Sequence, residues 1–196
     1  MFAQSLSATS LSPGNSTRIA DWLGWYQSRQ VIDWTIRQLN IQPYQHLLEV
    51  GYGSGRLLAE TGRKLKIGFL AGIESSIPLY QQAYRRNRPF IRQQLMQLHL
   101  GELHELPYPA HYFHTIYTSG IHAAWKDPEA ECLRLVSLLK TRGRLVLVSR
   151  HRKDQEARTF ANRLEESCFA AELTDLHTGY QDLPSGICLA VRGFKA

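Results

Sequence analysis

A glycine-rich turn is the feature of this sequence best placed to bind a ligand. Three glycines alternate with other residues there, in the run Glu49-Val50-Gly51-Tyr52-Gly53-Ser54-Gly55. Residues without a Cβ let the chain turn sharply and let a ligand lie against the backbone. The segment after the run has helical spacing, and the first turn of a helix offers unpaired N–H groups to a polar or anionic group. The run therefore predicts a ligand cradle between a first strand and a first helix.

A second acidic residue follows at a spacing that suits a nucleoside. Glu74 lies nineteen residues after Gly55, at the end of the next predicted strand. In dinucleotide-binding sheets an acidic residue near this offset accepts hydrogen bonds from ribose hydroxyls. A carboxylate suits a diol because it supplies two acceptor oxygens and no donor. The alternative is that Glu74 is a solvated residue at a strand end.

Composition limits the class of protein. The chain has 196 residues, of which 43% are hydrophobic and 20% charged, which suits one globular domain and argues against a wholly disordered chain. The net charge of +6 favours anionic ligands in general, but alone it does not indicate a nucleic-acid-binding protein. No apolar run approaches the ~18–20 residues of a membrane span, and the N-terminus lacks the features of a signal peptide. We therefore expect a cytoplasmic protein without membrane attachment.

The spacing of cysteine and histidine argues against disulfides and metal ions. The three cysteines are far apart and include no C-x-x-C pair: Cys132, Cys168 and Cys188. This pattern excludes a dense disulfide framework and a Cys-rich zinc site. We interpret the thiols as reduced core residues rather than nucleophiles. His111 and His114 form an H-x-x-H pair, but no acidic or Cys ligand lies nearby, so we expect no metal site.

The order of the elements predicts an α/β fold. Helical spacing from Thr17 to Asn40 is followed by alternating strands and helices. Seven segments have strand character: 46–50, 66–73, 95–100, 113–118, 144–149, 172–177 and 187–191. Their apolar runs predict a Rossmann-like, seven-stranded, mostly parallel sheet with helices on both faces. The last two strands have no helix between them and predict an antiparallel C-terminal hairpin. We expect the ligand at the carboxyl ends of the first strands.

The glycine spacing distinguishes the possible nucleotide ligands. A nicotinamide-binding turn has the spacing G-x-G-x-x-G, whereas the third glycine here comes one residue early. The run E-x-G-x-G-x-G instead resembles motif I of the class I S-adenosylmethionine (SAM)-dependent methyltransferases. Residues 71–76 are similar to the family's G-(I/V)-(D/E)-x-S segment, and residues 101–108 to its G-D-A…L-P-F segment. Residues 113–147 are similar to F-D-x-V…W-x-D-P…L-K-P-G-G-x-L-V-L. The sequence resembles the small-molecule, UbiE-like type of this family over roughly residues 29–191.

The resemblance implies a site for SAM and for its product S-adenosylhomocysteine. Gly51, Gly53 and Gly55 would line the methionine and ribose parts of the cofactor. Glu49 would orient the methionyl ammonium, and Glu74 would hold the ribose hydroxyls.

The resemblance also implies contacts with adenine and with the two ends of SAM. Glu102, in place of the commoner Asp, would accept from the adenine amino group, and the Leu103 backbone N–H would meet the ring. Arg29 would face the SAM carboxylate, or is a solvated helix residue. Further predicted cofactor contacts are Tyr52, Ser54, Ser75, Gly101 and Ser119. His114 stands where the family has an Asp after Phe113.

The sequence indicates the catalytic residues less clearly than the cofactor-binding residues. His122 lies three residues beyond Ser119 and is the best candidate for a base, because an unperturbed pKa near ~6.5 suits proton removal at neutral pH. The alternative is that His122 packs under a loop. An acceptor pocket would be lined by aromatic residues, unless these only fill the core: Trp22, Trp25, Tyr26 and Trp125. We expect residues 1–17 to form a flexible arm, 18–45 a helical lid and 46–196 the SAM-binding domain.

These features favour a SAM-dependent methyltransferase that acts on a small molecule by in-line displacement. Two alternatives stay open: an RNA or protein methyltransferase of the same fold, or a SAM-binding protein that does not methylate. The basic clusters 85–92 and 150–153 fit ordinary solvated surface better than a nucleic-acid site. A nucleic-acid partner is therefore not expected, and the oligomeric state is not readable from the sequence.

Overall fold

The computed structural model describes residues 28–120, 125, 127–184 and 186–196. The helices in these residues are α1 (Arg29–Leu39), α2 (Arg56–Gly62), α3 (Ile77–Arg92), α4 (Pro128–Leu138) and α5 (Asp154–Ala170). The strands are β1 (His46–Val50), β2 (Phe69–Glu74), β3 (Met96–Leu100), β4 (Phe113–Ser119), β5 (Leu139–His151), β6 (Leu173–Leu183) and β7 (Gly186–Lys195). A 3₁₀ turn, Leu103–Glu105, follows β3. The predicted arm and the part of the predicted lid before Ser28 lie outside the described residues.

The strands form one sheet in the order β3-β2-β1-β4-β5-β7-β6. The first five strands of that order are parallel, and β7 pairs antiparallel with both β5 and β6. The predicted mostly parallel sheet with an antiparallel C-terminal hairpin is therefore confirmed. Because β1 lies between β2 and β4, the winding of the chain reverses beside β1. Open α/β sheets bind their ligands at such a point, outside the carboxyl ends of the strands.

Two apolar clusters cover the two faces of the sheet. Helices α1, α2 and α3 contribute to one cluster, and α4 and α5 contribute to the other. Leu47 and Leu48 are neighbours in β1, and both are fully buried, one in each cluster. Successive strand residues point to opposite faces, so a strand covered on both faces is apolar throughout. The three cysteines are also buried, as the sequence predicted.

Side chains fix where α1 and α4 begin. The Ser28 hydroxyl accepts a hydrogen bond from the Val31 N–H at 3.4 Å, and α1 starts at the next residue. Asp127 accepts from the Ala130 N–H at 3.1 Å, and Pro128 occupies the first position of α4, as predicted. Caps of this kind satisfy N–H groups that have no partner inside the helix.

The structure corrects several predicted boundaries. β2 begins at Phe69 rather than Lys66, because the Lys66 and Ile67 N–H groups donate to the Pro43 carbonyl instead of to a strand. β3 begins at Met96 rather than at residue 95, and β4 continues to Ser119 rather than ending at residue 118.

The last three strands are longer than predicted. β5 starts at Leu139, where its pairing with β4 is irregular over the residues around Gly143. β6 and β7 pair over nearly their whole length, from Leu173 with Lys195 to Leu183 with Gly186. The residues of β6 and β7 that were not predicted are mostly polar or only partly buried, so no apolar pattern marked them.

His114 takes the structural position that an Asp holds in the family motif. Its Nδ1 accepts a hydrogen bond from the His46 backbone N–H at 2.9 Å and so joins β4 to the start of β1. Burial lowers the pKa of His114, with a further contribution from Lys140. The neutral imidazole can therefore accept this hydrogen bond.

Gly55 allows α3 to approach the glycine-rich turn. Its φ is +73°, and a Cβ there would lie 2.6 Å from Asn87 Nδ2 and 2.7 Å from Ala83 Cβ. The Asn87 amide donates to the Gly55 carbonyl at 3.0 Å and to the Ala83 carbonyl at 2.9 Å. The third glycine of the motif therefore serves helix packing, as the third glycine of dinucleotide-binding turns does.

We predict that Gly55→Ala destabilises the protein by about 1–3 kcal/mol more than Gly51→Ala does. Gly51 is the matched control because its φ is +72° but a Cβ there would have no atom within 4 Å. Both variants carry the cost of a left-handed backbone, and only Gly55→Ala adds a clash. Guanidinium unfolding of both variants measures the difference, and equal losses would contradict the packing role.

Candidate cofactor site

A cavity of about 330 Å³ lies at the carboxyl ends of β1, β2 and β4, where the winding of the sheet reverses. Small-molecule sites typically occupy ~300–1,000 Å³. The walls come from the ends of these strands, from the turn after β3 and from α4. The lining residues are Val50, Gly51, Gly53, Ile73, Glu74, Ser75, Leu79, Gly101, Glu102, Leu103, His104, Ser119, Gly120, Trp125, Glu131 and Arg134.

Nine residues predicted to contact the cofactor or the acceptor line this cavity. They are Gly51, Gly53, Glu74, Ser75, Gly101, Glu102, Leu103, Ser119 and Trp125. Glu131 and Arg134 on α4 were not predicted, because nothing in their spacing shows that this face of α4 borders the strand ends. Val50 and Ile73 could have been predicted from the sequence, because they are the last apolar residues before the predicted turns.

Glu74 links the end of β2 to the glycine-rich turn. Its Oε2 accepts a hydrogen bond from the Gly53 N–H at 2.9 Å, and its Oε1 accepts from the Ser76 N–H at 3.0 Å. A carboxylate oxygen can accept two hydrogen bonds, so each oxygen retains an acceptor position. The carboxylate lines the cavity with its orientation fixed from two sides, which suits a ligand with two neighbouring hydroxyls.

Gly51 forms a bare part of the cavity wall. Its N–H donates to the Ile73 carbonyl at 2.9 Å, which holds the turn against β2. Its φ of +72° is unfavourable for residues with a side chain, and a Cβ at this position would meet no protein atom within 4 Å. The space beside Gly51 is therefore free for a ligand.

Glu102 is oriented by the 3₁₀ turn that it begins. Its carboxylate accepts from the Glu105 N–H, and the Glu105 carboxylate accepts from the Glu102 N–H at 2.7 Å. This reciprocal capping box ties the turn after β3 into one conformation. The Leu103 N–H lies at the first position of the turn and has no acceptor within it. The cavity thus has an acceptor and a donor side by side.

Five predicted cofactor residues are not in the lining of the cavity, and four of them have other partners in the structure. The Tyr52 ring is buried against Gly72, and its hydroxyl donates to the His99 carbonyl at 3.1 Å. Ser54 is buried and accepts from the Arg86 guanidinium at 2.9 Å, while Gly55 packs against α3. Arg29 pairs with Asp33 at 3.1 Å and with Glu60 at 3.7 Å. Contacts of these four residues with the cofactor stay predictions.

Glu49 is fully buried beneath the turn and is also absent from the cavity lining. The Tyr117 hydroxyl donates to Glu49 Oε2 at 2.9 Å and lies 3.0 Å from Thr61 Oγ1. Glu49 Oε1 has no hydrogen-bond partner in the described part of the chain. Burial raises the pKa of Glu49 to about 8, the Tyr117 hydrogen bond opposes this shift, and the charge of Glu74 adds to it.

Some predicted residues lie outside the described residues: His122, Trp22, Trp25 and Tyr26. Trp125 is described, is half-buried, and packs against the cluster of α4 and α5. Across residues 28–120, 125, 127–184 and 186–196, no group of three or more His, Cys, Asp or Glu side chains is arranged to hold a metal ion. The described helices also include none with the length and apolar character needed to cross a membrane.

We predict that Glu49→Gln stabilises the protein in a pH-dependent way. A buried carboxyl with a raised pKa is neutral at low pH, and its ionisation destabilises the fold as the pH rises from about 4.5 to about 8. Glutamine is neutral throughout and of similar size. The two proteins should therefore have the same melting temperature near pH 4.5. Above pH 8, the melting temperature of the variant should be higher by ~2–4 °C or more. Thermal unfolding at several pH values measures this, with the exposed Glu166→Gln as control. A constant difference would refute it.

Comparison with known proteins identifies the family. A sequence family described as a methyltransferase domain matches residues 48–147, which is just over half of the chain. The chain is 22% identical over 169 residues to an uncharacterized methyltransferase, YdaC, from Bacillus subtilis. That match covers 84% of this chain and 91% of the relative.

Solved structures show the same fold. A SAM-dependent methyltransferase from Aquifex aeolicus matches 95% of this chain and 100% of its own, with a TM-score of 0.69 and 13% identity. A phosphoethanolamine N-methyltransferase from Haemonchus contortus, solved with phosphomonomethylethanolamine and S-adenosylhomocysteine, matches 92% of this chain and 58% of its own, with a TM-score of 0.71 and 10% identity. At these identities the likeness concerns the fold alone. With the matched sequence family, it shows that the chain belongs to the methyltransferase-domain family and is a SAM-dependent methyltransferase.

Proposed function

We propose that this methyltransferase transfers the methyl group of SAM to a small-molecule acceptor. The cavity carries the proposal, because a concave site of about 330 Å³ is of the size that small-molecule ligands occupy. Trp125 and Ser119 line it together and supply an apolar face beside a hydroxyl. The acceptor would lie at this end, past the carboxyl end of β4.

The residues of the cavity fit SAM. The bare wall at Gly51 leaves room where the sulfonium and ribose would lie, and a side chain there would fill it. The two remaining acceptor positions of Glu74 match the two ribose hydroxyls. Glu102 would accept from the adenine amino group, and the Leu103 N–H would donate to the ring. Ser75 and Gly101 complete the wall between these groups.

The protein's main contribution to the reaction would be alignment. SAM supplies an activated methyl group, because the methyl is bonded to a positive sulfonium. The wall residues would hold the acceptor in line with that bond and exclude water. Alignment alone supplies ~7–11 kcal/mol in favourable cases, so a protein base is optional. His122 stays our predicted base for an acceptor that must lose a proton.

We predict that Glu74→Ala weakens the binding of SAM and of S-adenosylhomocysteine at least about tenfold. The variant loses two acceptors for the ribose and also the anchor of the Gly53 N–H, and hydrogen bonds to charged groups contribute ~1.5–3 kcal/mol each. Calorimetric titration measures the dissociation constants, and circular dichroism confirms folding. Glu156→Ala on the exposed face of α5 is the control. Unchanged affinity in Glu74→Ala would refute the ribose assignment.

Transfer of labelled methyl groups tests the acceptor class. The protein is incubated with methyl-labelled SAM and a cell extract that is afterwards separated into small molecules, RNA and protein. We expect label in the small-molecule fraction, and label confined to RNA or protein would refute the proposal. Conversion of SAM in the absence of extract would instead indicate an enzyme that acts on SAM itself. A Gly53→Val control, which places a side chain in the cavity wall, should transfer no label.

One observation favours RNA as a second candidate acceptor. Arg85, Arg88 and Arg92 are exposed on α3 at spacings of three and four residues, so they share one face of the helix. Such a basic stripe can contact phosphates. If RNA is the acceptor, binding should weaken steeply with salt and with Arg88→Glu. Absence of RNA binding at low ionic strength would remove this candidate.

A further inference from the structure

The buried pair of Glu49 and Tyr117 has an arrangement that packing does not require. The parallel register of β1 and β4 sets the two residues side by side, and both are fully buried. Their hydrogen bond measures 2.9 Å, and Thr61 on α2 lies 3.0 Å from the same tyrosine oxygen. A phenol has one proton and an ionised carboxylate only accepts, so when Glu49 is ionised Tyr117 donates to it and accepts from the Thr61 hydroxyl. A phenylalanine would fill the same space without this chain of contacts.

The pair leaves one carboxylate oxygen unused. Glu49 Oε1 has no partner among the described residues, although a buried polar atom without a partner is costly. The titratable groups that act on Glu49 are Tyr117 from β4, Tyr52 from the turn and Glu74 from β2. None of these is a cation, and no ion pair with Glu49 occurs in the described part of the chain. A positively charged ligand group would therefore complete this site.

We propose that Tyr117 is a positioning residue: it fixes the Glu49 carboxyl through Oε2 and leaves Oε1 for the methionyl ammonium, the contact that the family resemblance already implies for Glu49. The inference rests on the proposed SAM site and deepens it. Glu49 directly precedes Val50 and Gly51, which line the cavity at the end where the methionine would sit. The tyrosine does not touch the cofactor and acts only through Glu49.

Cofactor binding should then release a proton. The pKa of Glu49 is raised to about 8 by burial, so the carboxyl is mostly neutral at pH 7 without a ligand. An ammonium nearby favours the ionised form. Affinity for a ligand that carries the ammonium should therefore rise with pH up to about 8. The Tyr117 hydrogen bond lowers the pKa of Glu49, and its loss should move this rise to higher pH.

The experiment compares two ligands in Tyr117→Phe and in the wild type. S-adenosylhomocysteine carries the ammonium, whereas 5′-methylthioadenosine has the same adenosine and thioether but no amino acid. We expect Tyr117→Phe to weaken S-adenosylhomocysteine about tenfold at pH 7 and to leave 5′-methylthioadenosine within about twofold. Thr61→Val, which removes the hydroxyl on the other side of Tyr117, should weaken S-adenosylhomocysteine much less. A general distortion of the site would weaken both ligands alike and would overturn the proposal.

Proton release on binding gives a second readout, which is measured on the wild type and so does not depend on the variant's folding. Wild-type calorimetry at pH 7 in two buffers of different ionisation enthalpy should show proton release with S-adenosylhomocysteine and none with 5′-methylthioadenosine. Equal proton exchange for both ligands would overturn the proposal. If the folded wild type binds neither ligand, the SAM site itself is wrong, which distinguishes that failure from a failure of the role of Tyr117.

Discussion

The site depends on one interaction, the hydrogen bond between the Gly53 N–H and the Glu74 carboxylate. This bond joins the turn after β1 to the end of β2, and the Gly51 N–H repeats the link through the Ile73 carbonyl. Together the two bonds hold the bare glycine backbone at a fixed position beside the Glu74 carboxyl group. A cofactor with a ribose can then bind without reorganising the turn, because the donor and acceptor positions already exist in the free protein.

The glycines of the turn perform different tasks. A Cβ at Gly51 would meet no protein atom within 4 Å, and Gly51 belongs to the cavity wall, whereas Gly55 is in close contact with α3. Gly53 supplies the N–H that Glu74 holds. The motif therefore forms part of the cavity wall and also a packing contact with α3, and a substitution at one position need not resemble a substitution at another. The buried Glu49 adds a carboxyl that weakens the fold when it ionises, which is expected at a functional site.

The sequence predicted the sheet and most of the cavity because both depend on local patterns. Apolar runs revealed the buried centres of the strands, and the motif order placed Glu74, Glu102 and Ser119 at strand ends that meet at one edge. The polar ends of β6 and β7 were missed, since their pairing is not marked by apolar residues. Arg134 and Glu131 were missed because their contribution depends on how α4 docks, and docking is a tertiary property. The Tyr117 contact with Glu49 needed the register of β1 and β4, which no local pattern shows.

A crystal structure with S-adenosylhomocysteine tests the central claim most directly. We predict that the two ribose hydroxyls lie ~2.5–2.8 Å from the two oxygens of Glu74, with the thioether beside Gly51 and the adenine against Leu103. The Gly53 N–H should keep its bond to Glu74 in that complex. Ligand density elsewhere on the protein, or a ribose whose hydroxyls are held by residues other than Glu74, would contradict the account.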